Sequence, residues 1–227
     1  MSSVKKKARI AGFIYFLLVI TGVFSILYIP TTFIEFGDAS TTANNILSKE
    51  WLYRLGIFVG LISNIIFATL GVALYRLFNE TGKWLALLML VLVVMSATAG
   101  FANAFNQIAA LVFLSGADFL SVIEKPQLDA IAYAFIRIHS QSTNALEVFW
   151  GLWLLPFGLL AYKSRFIPRI FGVLLMIACV GYVLSSFMSI ALPQQKESIG
   201  TFISILTMGE LPIILWLLIV GAREKIQ

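Results

Sequence analysis

Nine side chains that can carry charge or form hydrogen bonds interrupt the long apolar stretches of this sequence. They are Asn64, Asn103, Asn106, Gln107, Arg137, Gln141, Asn144, Glu147 and Glu210. A carboxyl group can hold a proton or a cation, an amide both donates and accepts, and a guanidinium binds anions. A charge at the centre of a bilayer costs about 2.5 to 3.5 kcal/mol on insertion scales, so polar residues inside a membrane span are candidates for function.

The depth of each candidate follows from counting residues along its helix. At about 1.5 Å per residue from the inner end of its helix, Glu147 lies about 22 Å up and Arg137 about 37 Å up. The hydrocarbon layer is about 30 Å thick, so Glu147 is immersed and Arg137 lies at the outer interface. Asn64 and Glu210 come out near mid-bilayer, at about 16 to 18 Å. Pro212 follows Glu210 closely and frees a backbone carbonyl beside this carboxyl.

Helical spacing arranges the remaining polar residues in two stripes. One stripe contains Asn103, Asn106 and Gln107, and the other contains Arg137, Gln141, Asn144 and Glu147. The stripes predict a cavity that opens to the outer side. Arg137 and the amides would lie at its mouth, and Glu147, Asn64 and Glu210 at its narrow end, with Glu210 the companion of Glu147. Alternatively, the amides tie helices together, and the outer residues are simply wetted by lipid headgroups.

The only histidine is expected to lie off this polar stripe. His139 is about 200° around the helix from Arg137, which favours an interfacial position. The many aromatic side chains are expected to face lipid or to anchor the interfaces.

The elements that carry these residues are six continuous apolar segments. The chain has 227 residues, of which 60% are hydrophobic and 12% charged, far from the soluble norm of roughly 45 to 50% apolar and about 25% charged. This composition predicts an all-α polytopic membrane bundle that forms one domain over residues 1–227. The expected spans are 10–29, which Pro30 would end, and 55–78, 84–114, 128–162, 168–192 and 200–222.

The distribution of Lys and Arg predicts the orientation. With a cytoplasmic N-terminus, eleven basic residues, including Lys225, lie on the inner side and four on the outer side. The positive-inside rule therefore places both termini in the cytoplasm. The net charge of +5 is explained by this topology, and no nucleic-acid partner is expected. The outer connection between Pro30 and Arg54 contains Phe33, Ile34, Phe36 and Trp51 among polar residues, which is typical of a short interfacial helix.

Several chemistries lack their usual residues. One histidine and one cysteine cannot form the usual zinc sites, and the sequence contains no H-E-x-x-H motif. It also contains no G-x-S-x-G nucleophile elbow and no phosphate-binding G-x-x-x-x-G-K-[ST] loop. The sequence therefore assigns no catalytic residue, metal or cofactor, and whether the protein is an enzyme stays open.

Two stretches resemble a known family. They are RIAGFIYFLLVITGVFS, residues 9–25, and GLWLLPFGLLAYKSRFIPRIFGVLL, residues 151–175. The second has Gly, Trp, Pro, Gly, Tyr, Ser, Pro, Arg and Gly at fixed spacing across a helix hairpin. The chain resembles a family of uncharacterised bacterial integral membrane proteins, domain of unknown function 4386. The resemblance implies a multi-helix protein of the bacterial inner membrane and supplies no catalytic residues.

Three functional hypotheses remain. The leading one is a membrane protein that binds, and could transport, a small molecule or ion through the outward-opening polar cavity, with Glu147 and Glu210 responding to protons or cations. The second is an enzyme that modifies a lipid or amphiphile at the outer leaflet, with His139 or Glu147 as general base and Arg137 on the headgroup. The third is a non-catalytic partner or sensor subunit that associates through Gly56, Gly60 and the outer loop. The bilayer is the expected partner, and association into a homo-oligomer is left open.

Overall fold

Helices are the regular secondary structure of this chain, and no strand occurs among the residues that the structure describes. The structure is a computed structural model, and it describes residues 3–223, with the side chains of 196–198 also outside the description. Six helical segments within this range are long and apolar enough to cross a membrane. They are Ser3–Phe33, Glu50–Phe78, Lys83–Leu114, Lys125–Lys163, Arg169–Ala191 and Ile199–Ile219. The prediction of an all-α bundle with six spans is confirmed, and the protein is a multi-pass membrane protein.

The helices are numbered in chain order. They are α1 (Ser3–Gly22), α2 (Ile29–Phe33), α3 (Ala39–Ser48), α4 (Glu50–Phe78), α5 (Lys83–Leu114), α6 (Lys125–Leu152), α7 (Leu154–Lys163), α8 (Arg169–Ala191), α9 (Lys196–Thr207) and α10 (Leu211–Ile219). Most spans begin or end a few residues beyond the apolar segment that predicts them, because a helix continues into the polar interface where its backbone bonds remain favourable.

Three spans are interrupted, and these interruptions shape the interior. A wider π-helical turn, Val23–Tyr28, joins α1 to α2. Pro30 lies inside α2 and does not end the first span, since a proline is tolerated in the first turn of a helix. A break at Trp153 separates α6 from α7. The 3₁₀ turn Met208–Glu210 separates α9 from α10, and it places Glu210 at a helix break.

The connection between Pro30 and Arg54 contains a short helix, as predicted. Asp38 caps the N-terminus of α3, because its carboxylate accepts the Thr41 backbone N–H at 2.8 Å and the Thr41 hydroxyl at 2.7 Å. The Gly37 N–H donates to the Tyr133 hydroxyl at 2.8 Å, which ties this connection to α6. The backbone hydrogen bond from Thr41 holds the pKa of Asp38 below its ordinary value of 3.8.

Removing the α3 cap is expected to loosen this helix. Asp38→Ala should accelerate amide hydrogen exchange in residues 39–48 severalfold at neutral pH, whereas Asp38→Asn retains an acceptor and should stay close to wild type. Because the folded-state pKa is lowered, the cap stabilises above pH 3.8 and is lost as the pH falls through the lower value. Equal exchange in wild type and Asp38→Ala at pH 7 would contradict this role.

The chain forms two compact units. The amide unit comprises Val19–Asn64 and Gly100–Thr143, and the carboxylate unit comprises the described parts of residues 1–18, 65–99 and 144–227. The prediction of one domain over residues 1–227 stays a prediction. Lys225, counted among the inner basic residues, lies outside the described residues.

Close helix crossings at glycine hold the carboxylate unit together. A Cβ at Gly172 would lie 2.6 Å from the Gly158 carbonyl oxygen, and one at Gly151 would lie 2.7 Å from the Cys179 carbonyl oxygen. A Cβ at Gly12 would lie 2.4 Å from the backbone nitrogen of Leu218. Small residues let membrane helices approach closely and pack by van der Waals contact. The glycines of the family-like motif are therefore contact points between α6 or α7 and α8.

The other motif residues shape the same hairpin. Trp153 is buried, and the Arg169 guanidinium lies 5.3 Å from the centre of the Tyr162 ring. The Ser164 hydroxyl donates to the Ala161 carbonyl at 2.9 Å, and Pro168 is the residue directly before α8. The motif that carries the family resemblance thus specifies a packed helix hairpin.

In the amide unit, the face of α4 that carries Gly56 and Gly60 packs against the first span. A Cβ at Gly56 would lie 2.5 Å from the Ile29 side chain, and one at Gly60 would lie 3.6 Å from Ser25. The first span therefore covers part of this face, and association with another protein through Gly56, Gly60 and the outer loop stays a prediction. Phe33 and Tyr53 extend this packing with an edge-to-face ring contact at 5.4 Å.

Candidate functional site

Glu210 is held by two tyrosine hydroxyls. The Tyr15 hydroxyl donates to Oε1 of Glu210, and the Tyr182 hydroxyl donates to Oε2 at 3.1 Å. Tyr15 belongs to α1 and is 1% exposed, and Tyr182 belongs to α8. One carboxyl therefore joins two different spans to the 3₁₀ turn that precedes α10.

The backbone places this carboxyl through the helix break and two close contacts. Pro212 cannot donate a backbone hydrogen bond, which favours the break directly before it. A Cβ at Gly209 would lie 2.6 Å from the Leu174 carbonyl oxygen, and one at Gly181 would lie 2.8 Å from Cβ of Leu206. The segment that carries Glu210 therefore lies directly against α8, where Tyr182 can reach it.

The second membrane carboxyl interacts with the same tyrosine. Glu147 on α6 acts electrostatically on Tyr182, as Glu210 does. The Trp150 ring meets the Tyr182 ring edge-on at 6.3 Å. We call Tyr15, Glu147, Tyr182 and Glu210 the carboxylate cluster. The sequence predicts Glu210 as the companion of Glu147, and in the structure both carboxyls act electrostatically on Tyr182.

The cluster is suited to holding a proton or a hard cation. An ionised carboxylate only accepts hydrogen bonds, whereas a protonated one donates one bond. Two tyrosine donors suit the ionised form of Glu210, and protonation requires one of these bonds to rearrange. Carboxylate and hydroxyl oxygens are also the ligands that hard cations prefer. The chemistry available here is therefore exchange of a proton or cation, coupled to contacts between helices.

In the amide unit, Asn103 binds α5 to α6. Its amide nitrogen donates to the His139 backbone carbonyl at 3.0 Å and to the Thr143 hydroxyl at 3.1 Å. Nδ1 of His139 lies 3.1 Å from the Asn103 backbone carbonyl, so each side chain bonds to the other helix's backbone. Asn106 adds a donor to Asn103 at 3.0 Å. This arrangement supports the reading of these amides as ties between helices, and it places His139 against α5.

The other predicted cavity residues occupy separate environments. Asn64 donates to the Gly60 carbonyl at 2.9 Å and lies against Gly100, where a Cβ would come within 2.4 Å of its amide oxygen. Gln107 is buried beside the Tyr53 hydroxyl.

The charged and remaining polar candidates lie elsewhere on α6. The Arg137 guanidinium lies 5.3 Å from the centre of the Phe36 ring. Gln141 is exposed and Asn144 is partly buried. Three of the nine candidates, Asn144, Glu147 and Glu210, belong to the carboxylate unit, and the other six belong to the amide unit. The shared cavity stays a prediction.

Shortening Asn103 is expected to weaken the tie between α5 and α6. Asn103→Ala removes both donors and should lower the free energy of unfolding by about 1 kcal/mol, as for hydrogen bonds between membrane helices. Denaturant unfolding in detergent measures this change. Thr98→Ala is the control, since the Thr98 hydroxyl donates within its own helix, to the Val94 carbonyl at 2.9 Å. Wild-type stability of Asn103→Ala would contradict the tie.

The sequence prediction misses the two tyrosines. The expectation that aromatic residues face lipid or anchor the interfaces is wrong for Tyr15, which is fully enclosed. A signal was present in both cases, since Tyr15 follows Gly12 by three residues and Tyr182 directly follows Gly181. Glycine in a membrane span is typical of a close helix crossing, and a tyrosine hydroxyl buried at such a crossing needs a hydrogen-bond partner.

A family model described as Domain of unknown function (DUF4386) matches residues 10–221. The match covers most of the chain and nearly all of the two stretches that carry the resemblance. The predicted family is confirmed. No curated protein and no solved structure matches the chain.

Proposed function

We propose a function for this chain, which belongs to the DUF4386 family, from the chemistry of its own side chains, because the family is described only as a domain of unknown function. The protein binds a small molecule or ion within the membrane, and the carboxylate cluster makes this binding responsive to protons or cations. We further propose that the protein transports this ligand through the predicted outward-opening polar cavity.

The observation that carries the proposal is the pair of tyrosine donors on Glu210. Their bonds run to α1 and α8, so the charge state of one carboxyl bears on the packing of two spans. Glu147 acts on the same Tyr182, so a proton or cation at either carboxyl changes the field at the other. Protonation linked to helix contacts is the property that a coupled binding protein or transporter requires.

The same proposal includes the orientation and location of the chain. Both termini lie in the cytoplasm and the protein resides in the bacterial inner membrane, as the Lys and Arg distribution favours. Arg9 near the start of α1 donates to the Ile219 carbonyl at the end of α10 at 2.9 Å, which supports termini on the same side. Cysteines introduced at Glu80 and Asp118, in a Cys179→Ser background, should be labelled from the inside and the outside respectively. The opposite pattern would contradict the orientation.

The functional test compares carboxyl-to-amide variants. The purified full chain is melted in detergent across pH 5 to 9 in sodium, potassium or choline chloride. Wild type should show a melting temperature that depends on pH or on the cation, because the charge on the cluster changes. Glu210→Gln and Glu147→Gln should each weaken this dependence, and the double variant should abolish it.

A matched control separates this effect from a general loss of negative charge. Glu80 is an exposed glutamate in the loop between α4 and α5, and Glu80→Gln should keep the wild-type dependence. Proteoliposomes that carry a pH-sensitive dye then test for coupled proton movement under a sodium gradient. Full retention of the pH and cation dependence in the Glu147→Gln, Glu210→Gln double variant would disprove the proposal.

One observation favours a second candidate, an enzyme acting on a lipid or amphiphile at the outer leaflet. If Nδ1 of His139 donates to the Asn103 carbonyl, from which it is 3.1 Å away, the neutral ring keeps an acceptor at Nε2. Such an imidazole can serve as a general base. The test measures release of fatty acid or headgroup from phospholipid vesicles. Release by wild type that is lost in His139→Gln would favour this enzyme. No release by wild type would disprove it.

A further inference from the structure

The amide unit contains an open groove of about 460 Å³ between α4 and the end of α5. Seven of the nine side chains that line it are apolar, including Phe58, Leu61, Val112 and Phe119. Arg54 is its single charged residue. This volume lies within the range of about 300 to 1,000 Å³ that is typical of small-molecule sites.

The groove has one charged end and one apolar end. The Arg54 side chain reaches back one turn, and its Nε and Nη2 both lie 2.6 Å from Oε1 of Glu50. Leu61 follows Arg54 by seven residues, so the apolar part extends about 10 Å along α4. The Arg54 side chain is 57% exposed, and its guanidinium keeps further donors for an anion. A charged head joined to an apolar tail complements this arrangement.

We propose that this groove binds an anionic phospholipid of the surrounding membrane, with an acyl chain beside Phe58, Leu61 and Val112 and the phosphate on Arg54. The site lies on a membrane-spanning helix, where acyl chains are the surrounding solvent. The charge on Arg54 selects an anionic headgroup over a zwitterionic one, and Glu50 orients the guanidinium while competing for it. This lipid site shares no residue with the carboxylate cluster.

The experiment is native mass spectrometry of the delipidated full chain with equal amounts of phosphatidylglycerol and phosphatidylethanolamine. Wild type should bind phosphatidylglycerol preferentially. Arg54→Gln should lower phosphatidylglycerol binding about fivefold, the effect of one basic residue at an anionic lipid surface, and lower phosphatidylethanolamine binding by less, because the ammonium group of that lipid offsets its phosphate charge. Glu50→Gln should raise phosphatidylglycerol binding, because it removes the competing carboxylate.

Two further variants test the location. Val112→Trp fills the apolar part and should reduce binding of both lipids, with size-exclusion chromatography checking that the variant is folded. Lys49→Gln removes an exposed cation just before α4, outside the groove, and should bind both lipids as wild type does. Equal losses in Arg54→Gln and Lys49→Gln, or binding in proportion to the lipid mixture alone, would overturn the proposal. If Val112→Trp does not fold, the test still decides, because phosphatidylglycerol binding should fall in Arg54→Gln and rise in Glu50→Gln.

Discussion

Replacing Gly172 with alanine is expected to lower the free energy of unfolding by about 2 kcal/mol, within the range for overpacking a tight interior. The new Cβ would lie 2.6 Å from the Gly158 carbonyl oxygen and 2.8 Å from the Tyr162 backbone nitrogen. Both neighbours are backbone atoms, so they cannot move aside as the end of a flexible side chain can. The helices α7 and α8 must therefore separate, with loss of contacts along the hairpin. Thermal and denaturant unfolding in detergent measure the change.

Gly22 provides the matched control. It has helical backbone angles, with φ −66° and ψ −48°, and a Cβ there would meet nothing within 4 Å. Gly22→Ala should therefore be neutral or slightly stabilising, since alanine is the better helix former. Equal stability of wild type and Gly172→Ala would show that the α7–α8 crossing is looser than this geometry requires.

The six spans could be predicted because the bilayer fixes their length and composition. A segment that crosses about 30 Å of hydrocarbon needs roughly 20 apolar residues, and this signal is continuous along the chain. The interruptions are harder to predict, since they depend on neighbours. Pro30 was expected to end a helix and lies within α2. The break at Trp153 does have a signal, because Pro156 has no N–H to donate to the carbonyl of Leu152.

Counting residues predicts a depth for each carboxyl of the site, but it does not predict the side chains that donate hydrogen bonds to it. Counting residues places Glu210 along its helix, yet it cannot tell which helix faces that residue. The tyrosine hydroxyls that hold it come from positions 15 and 182, far away in sequence. His139 shows the same limit, because its angle from Arg137 was predictable, whereas the presence of α5 on that side was not.

Trp153→Ala is expected to have the largest effect on stability among the side-chain truncations, about 3 kcal/mol. Trp153 is 2% exposed. Its ring centre lies 5.4 Å from that of Phe67 and 5.4 Å from that of Phe157, with which it stacks. It also lies 5.9 Å from the Tyr15 ring. Removing the indole therefore opens a cavity at the junction of α6 and α7 and removes one of the side chains that pack against the Tyr15 ring.

Two substitutions serve as controls for the aromatic ring and for the burial of Trp153. Trp153→Phe keeps an aromatic ring and should retain most of the stability, whereas Trp84→Ala removes a tryptophan that is 82% exposed and should change little. Denaturant unfolding in detergent gives the three values. A loss in Trp153→Ala no larger than in Trp84→Ala would contradict the packing role.

The same variants link the fold to the proposed function. Because Tyr15 packs on Trp153 and donates to Glu210, loss of the indole should loosen the hydroxyl that holds the carboxyl. The pH or cation dependence of the melting temperature should then weaken in Trp153→Ala and persist in Trp153→Phe. A folded Trp153→Ala protein with the full wild-type dependence would show that Glu210 responds without a fixed Tyr15, and that Tyr182 alone is sufficient to hold it.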